Sequence, residues 1–108
     1  MIPSFTVTVH QNDYGNNIPL QITDTNGNAI VLDGYTVKFH MWKEGNPNNP
    51  IVTGDCIVED SSQGWVYYTW QASDLANTGV FLAELQVEAT GYNESTDPFE
   101  VIVEESPP

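Results

Sequence analysis

The chain has 108 residues, 40% of them hydrophobic, with fifteen carboxylates against two lysines and no arginine, for a formal charge of −13 at pH 7. Such a length supports one domain, over 1–108, that buries about two-thirds of its unfolded surface around a single core. The charge leaves no cationic surface for DNA, RNA or anionic lipid, and a lone cysteine, Cys56, excludes an intramolecular disulfide.

The first residues, MIPSFTVTVHQND, carry no basic segment followed by an apolar one, and no stretch is long and apolar enough to span a membrane. Synthesis and folding in a cytoplasm are therefore expected. The sequon Asn93-Glu94-Ser95 is read as chance, since no signal peptide accompanies it.

Alternation of apolar and polar residues, the mark of a strand buried on one face, recurs along the chain. It begins over 5–10, where Phe5, Val7 and Val9 oppose Thr6, Thr8 and His10, and continues over 17–23 with Ile18, Leu20 and Ile22 on one face. Asn26-Gly27 and Asp33-Gly34 supply the positive φ angles of tight turns around a brief apolar segment, 29–32, which is a further strand candidate. Over 35–42, Tyr35, Val37, Phe39 and Met41 oppose Thr36, Lys38, His40 and Trp42.

After the Pro- and Asn-rich loop 44–50, strands are predicted over 51–59 and, beyond the turn Ser61-Ser62-Gln63-Gly64, over 65–70. Ser73-Asp74-Leu75-Ala76 reads as one helical turn, with Ser73 as N-cap and Gly79 as a left-handed exit. Over 80–89, Phe81, Ala83, Leu85 and Val87 face inward and Leu82, Glu84, Gln86 and Glu88 outward. Over 98–104, Phe99, Val101 and Val103 face inward and Glu100, Ile102 and Glu104 outward.

Seven or eight short strands without a long helix predict an all-β fold. A sandwich is favoured over a small barrel because each strand is apolar on one face only. The missing cysteine pair excludes a variable-type antibody domain and leaves an immunoglobulin-like sandwich without the disulfide open.

The order of features is itself informative. An Asp follows the first strand, a hairpin carries an Asn-Gly turn, and an apolar run enters Leu-Asp-Gly-Tyr-Thr-Val. A V-x-F-x-M strand, the Gly-Trp-Val-Tyr-Tyr-Thr-Trp segment, Asp74-Leu75 and Gly79 come next, then a final aromatic strand pair. Asp13, Asp24, Gly27, Leu32, Gly34, Val37, Phe39, Met41, Asp60, Gly64, Val66, Tyr68, Asp74, Gly79, Phe81, Ala83, Glu84 and Val87 carry the pattern over nearly the whole length. It resembles the immunoglobulin-like N-terminal domain of the baseplate upper protein of tailed bacteriophages. The resemblance implies an immunoglobulin-like β-sandwich of seven to eight antiparallel strands, with Val66, Tyr68 and Trp70 in the core.

It also implies a non-catalytic structural role in a virion, in the tail, baseplate, fibre attachment or head decoration. Partners would be other phage structural proteins, with many copies in one symmetric assembly, and neither nucleic acid nor membrane. Within a family whose longer members carry receptor-binding or adaptor parts downstream, a chain stopping at Pro108 is expected to act as adaptor or decoration.

Reaction chemistry finds little support. His10 and His40 lie on separate strands, both on the polar side, and no nucleophile motif accompanies them. Glu84 and Glu100 are the carboxylates that neighbouring strands could pair, as glycoside hydrolysis requires, but among fifteen acids such pairing is expected by chance. Zinc-ligand spacing is absent. Asp13, Asp24, Asp33, Asp60, Asp74 and Asp97 stand near loop ends, where capping of backbone amides is the favoured reading and calcium ligation the minor alternative. No cofactor is expected, and Cys56 is read as a small buried hydrophobe on a strand.

Binding residues are better represented. Trp65 and Tyr67, with Trp42 on another strand, are expected to be outward aromatics of the kind that anchor protein contacts; a carbohydrate-stacking platform is the alternative. Leu82 and Ile102 interrupt acidic outward faces, and together would form an apolar strip rimmed by Glu84, Glu100 and Glu104. The acidic surface as a whole is either a solvated exterior or a face matched to a basic partner.

Overall fold

The computed structural model describes residues 6–105. Alternation becomes extended backbone wherever it is regular, giving β1 (Thr6–His10), β2 (Asn17–Gln21), β3 (Thr36–Lys43), β4 (Pro50–Asp55), β5 (Ile57–Asp60), β6 (Trp65–Thr69), β7 (Gly79–Ala89), β8 (Tyr92–Ser95) and β9 (Phe99–Glu104). One sheet has the order β1-β9-β7-β3-β4, with β8 also paired to β7; the other has the order β2-β6-β5. All ladders are antiparallel except that of β1 with β9, which is parallel. The result is the expected all-β, disulfide-free sandwich. Phe5, assigned by alternation to the first strand, lies outside the described residues.

Inward residues of both sheets form one core. Val37, Phe39 and Met41 of β3 and Phe81, Ala83, Leu85 and Val87 of β7 share this core with Ile18, Leu20, Val66 and Tyr68 of the facing sheet and with Trp70 just beyond β6. Phe39 stacks on Tyr68 at 4.5 Å and 9°, and Trp70 presents its edge to both rings at 5.5 Å and 5.4 Å. Phe39 is fully buried, and burying such a side chain contributes about 1.5–3 kcal/mol. The Tyr68 hydroxyl donates to Asp74 Oδ2 at 2.6 Å, so the ring is buried without stranding its polar atom. Its ring also lies so close to β4 that a Cβ on Gly54 would stand 2.7 Å from Tyr68 Cε1.

Among the described residues, nine strands replace the seven or eight expected, for two reasons. The segment predicted as one strand over 51–59 divides at Cys56. There the chain leaves β3, with the Cys56 N–H still donating to Val37 O at 2.8 Å, and β5 pairs with β6 of the other sheet. Both halves keep a period of two, so alternation alone does not mark the crossing. The second reason is β8, whose four residues are all exposed and carry no apolar pattern.

Between the pairs Gln86↔Ser95 and Ala83↔Phe99, three steps along β7 face four along the returning chain, so one residue is extra. Pro98, which has no N–H, falls in this bulge. Buried Thr96 holds the ladder together there: its N–H donates to Leu85 O at 2.9 Å and its Oγ1 accepts from Leu85 N at 3.0 Å.

Two local expectations are corrected. Residues 29–32 form no strand, only an isolated bridge between Thr23 and Ala29. The predicted helical turn at 73–76 is a turn over 71–74, closed by Asp74 N–H to Gln71 O at 3.1 Å. Ser73 has φ +76°, incompatible with the extended backbone of an N-cap. Asp74 instead ties the turn backward, its Oδ2 accepting from Gln71 N at 2.9 Å. Gly79, with φ +135°, opens β7 and terminates no helix.

Capping by Asp is confirmed at three of the six positions, Asp24, Asp60 and Asp74. Asp24 Oδ1 accepts from Asn26 N at 2.9 Å and Asn28 N at 3.0 Å. The Asn28 amide above all holds this carboxyl below its ordinary range. Asp60 Oδ1 accepts from Ser62 N at 3.1 Å.

Gly64 is the glycine with least room to change. It has φ +72°, and a Cβ there would meet Ile22 O at 2.5 Å and Ile30 O at 2.9 Å. Gly27 shares the left-handed backbone, φ +84°, but faces open space. Gly27→Ala should cost about 1–2 kcal/mol, the left-handed penalty alone, whereas Gly64→Ala should cost more than about 3 kcal/mol or prevent folding. Denaturant unfolding of the two variants side by side checks this, and equal losses would contradict the packing argument.

Candidate docking surface

Side chains of paired residues share a face, so the core assignment decides what points outward. On β6 the inward Val66 and Tyr68 leave Trp65, Tyr67 and Thr69 on the outer face of the three-stranded sheet. There Tyr67 stands between Pro19 of β2 and Ile57 of β5, and Trp65 between Gln21 and Asp60. Trp65 is 39% exposed and Ile57 54%; Pro19 is exposed and Tyr67 half-buried. Polar residues around this apolar strip are already engaged. Gln21 Nε2 donates to Gln63 O at 3.0 Å, Thr69 Oγ1 to Asn17 Oδ1 at 2.6 Å, and Ser62 Oγ to Asp60 Oδ1 at 2.8 Å.

Trp42 does not belong to this surface. It lies on β3 of the other sheet, in register with Leu82 of β7 and Pro50 of β4. Its expected exposure is corrected: it is 7% exposed, because a large ring on a central strand is screened by neighbours on both sides. Trp42 therefore cannot join Trp65 and Tyr67 in one platform, and the three-residue carbohydrate surface does not exist as drawn from the sequence.

Leu82 and Ile102 do come together. Val80 pairs with Ile102 and Leu82 with Glu100, so Leu82 and Ile102 are diagonal neighbours on adjacent β7 and β9. Both are half-buried, and Val80, which completes the strip, is 39% exposed. Pro19, Ile57 and Val80 were missed by sequence reasoning. Pro19 carried a usable signal, since proline inside an alternating segment marks an edge strand. Ile57 carried none, because its face depends on the crossing at Cys56.

His10 stands opposite Glu104 and His40 opposite Glu84, all on the outer face of the larger sheet. Glu84 and Glu100 are diagonal neighbours there. Among the described residues no three His, Cys, Asp or Glu side chains are placed to share a metal ion, and no helix is long and apolar enough to cross a membrane.

Cys56 is partly buried at the β4–β5 crossing and packs against the core, beside a half-open cleft of about 450 Å³ lined also by Tyr35, Lys38, Asp55 and Glu88. Burial first, then the neighbouring Asp55 carboxylate, pushes its thiol up to about 12. Burial and the bond to Asp74 likewise push the Tyr68 hydroxyl up.

Two sheets packed face to face without a disulfide, with apolar strips on both outer faces, define an immunoglobulin-like β-sandwich domain. The sequence profile of the BppU N-terminal domain matches residues 4–107. The chain belongs to that family, the N-terminal domain of phage baseplate upper proteins, and is thereby a structural domain of the bacteriophage particle.

Among solved structures, the N-terminal domain of phage TP901-1 ORF48 aligns with a TM-score of 0.72 at 21% identity, over 95% of this chain and 90% of that one. CopC from Methylosinus trichosporium OB3b aligns with a TM-score of 0.55 at 9% identity, over 94% of this chain and 88% of that one. At these identities both show likeness of fold. No curated protein sequence matches the chain.

Two measurements check the buried polar groups. With its thiol raised from 9.0 to about 12, Cys56 should react with a disulfide reagent at pH 8 about a thousandfold more slowly than an ordinary thiol, and rapidly once denatured. Native-state labelling at the ordinary rate would contradict the burial. Both raised groups favour their neutral forms in the fold, so their contribution is complete below the unfolded pKa values and declines as pH rises above about 9. Tyr68→Phe should lower the unfolding free energy by about 1.5–3 kcal/mol, the range for a hydrogen bond to a charged acceptor, as read from denaturant titration at pH 7.

Proposed function

We propose that this domain is a non-catalytic adaptor of a tailed-phage virion. It docks on neighbouring phage structural proteins through the outer face of the three-stranded sheet, in many copies within a symmetric assembly. One observation carries the reading: the apolar strip of Trp65, Tyr67, Ile57 and Pro19 lies on a sheet face where the neighbouring Gln21, Ser62 and Thr69 side chains are already hydrogen-bonded within the domain. Such a face has little to offer a polar ligand and much to offer a complementary apolar surface. The net charge of −13 favours solubility at high local copy number and sets the domain against nucleic acid and anionic membrane alike. The position of the domain is a tail, baseplate, fibre-attachment or head-decoration site. No cofactor or metal takes part.

The test is made on particles. Mass spectrometry and electron microscopy of purified virions should find the chain at stoichiometric, symmetry-related positions. Trp65→Ala together with Ile57→Ser should displace it from them, the loss of an aromatic anchor costing about 2 kcal/mol or more of binding. Recovery of the protein only from lysate, never on particles, would defeat the reading. Glycan binding that disappears with Trp65→Ala would transfer the same strip to sugar stacking.

A further inference from the structure

The outer face of the six-stranded sheet differs chemically from the strip just described. Across it, register places Asp55 of β4, Glu84 and Glu88 of β7, and Glu100 and Glu104 of β9 on one side of the sheet. The lysine on that face is Lys38, whose Nζ lies 3.9 Å from Glu88 Oε2. His10 and His40 stand opposite Glu104 and Glu84, and Thr6 Oγ1 donates to Glu100 Oε1 at 3.5 Å. Amid these carboxylates, Val80, Leu82 and Ile102 form a continuous apolar strip.

We propose that this face is a second docking surface, which takes a protein presenting an apolar ridge flanked by lysine or arginine, so that the domain bridges two different neighbours. The inference rests on the reading of the domain as a virion adaptor and adds to it a second face and the chemistry of that face's occupant. Charge complementarity selects the occupant. A second copy of this chain would bring the same carboxylates against their like, from a molecule of charge −13, and like-charge juxtaposition is strongly disfavoured at an interface. Nucleic acid is repelled by the same field. A basic-rimmed protein surface satisfies both components at once, burying the apolar strip at its centre and pairing its cations with Glu84 and Glu100 at the rim. Association through this face is steered by charge and weakens with added salt, whereas the aromatic strip on the opposite face is little affected.

Carbodiimide chemistry on purified phage particles tests this. With glycine ethyl ester as the amine, labelling of Glu84 and Glu100 should fall about tenfold in the particle relative to the isolated chain, as expected where an interface excludes water. Without added amine, zero-length links should join these carboxylates to lysines of a different virion protein. Equal labelling in particle and isolated chain would overturn the proposal while leaving the adaptor reading intact, as would links to a second copy of the chain. Absence of the chain from particles would remove both. A Leu82→Ser, Ile102→Ser variant that retains its fold should restore labelling of Glu84 and Glu100 in particles, and unchanged protection would overturn the role of the apolar strip.

Discussion

The contact between Phe39 and Tyr68 governs the rest of the structure. It is the point at which the two sheets are locked ring to ring, with Trp70 braced edge-on against both. Tyr68 is held from three directions: by Phe39 beneath it, by the bare backbone of Gly54 beside it, and by Asp74 at its hydroxyl. Asp74 in turn shapes the 71–74 turn that leads toward β7. Because side chains alternate along a strand, fixing Tyr68 inward forces Trp65 and Tyr67 out, and fixing Phe39 inward forces Lys38 and His40 out. The exterior is thus a geometric consequence of the core, and both apolar strips exist because the ring pair is where it is.

This coupling explains which features could be read from the sequence. Val37, Phe39, Met41, Phe81, Ala83, Leu85 and Val87 were legible as core because a one-sided strand writes its burial into a period of two. Exposure of Trp65 followed by the same rule. What the rule does not encode is which sheet a strand joins. Cys56 moves the chain from one sheet to the other without breaking the alternation, so the neighbours of Ile57 were invisible. Trp42 shows a different limit: alternation tells the side of the sheet, but exposure also depends on what flanks the residue, and Trp42 sits between Pro50 and Leu82 on a central strand. Ser73 failed for a third reason: no helix starts there, because its left-handed backbone closes a turn that Asp74 ties back to Gln71 and to Tyr68.

The two exteriors carry different information. On the small sheet, apolar side chains stand beside Gln21, Ser62 and Thr69, whose side chains are already hydrogen-bonded, so the proposed docking there would depend on shape and dehydration. On the large sheet, a narrower apolar strip lies within a field of carboxylates, and the proposed docking there would depend on sign as well as shape. A thin sandwich keeps these surfaces back to back, each displayed by strands whose other side is committed to the shared core. That arrangement lets a small domain present two unlike faces without separate folding units.

The parallel ladder of β1 and β9 has a mechanical consequence. Thr6 lies beside Glu100 and His10 beside Glu104, so the start of the first strand and the end of the last sit at opposite extremities of the pair. Tension applied between those extremities runs along the ladder and slides one strand against the other. All five register pairs then resist together, where a hairpin pulled from its open end would peel apart one pair at a time. Forced opening is governed by the height of the unfolding barrier, and shear geometry raises the load at which that barrier is crossed. A domain strung between moving parts of a particle would stretch least along this direction.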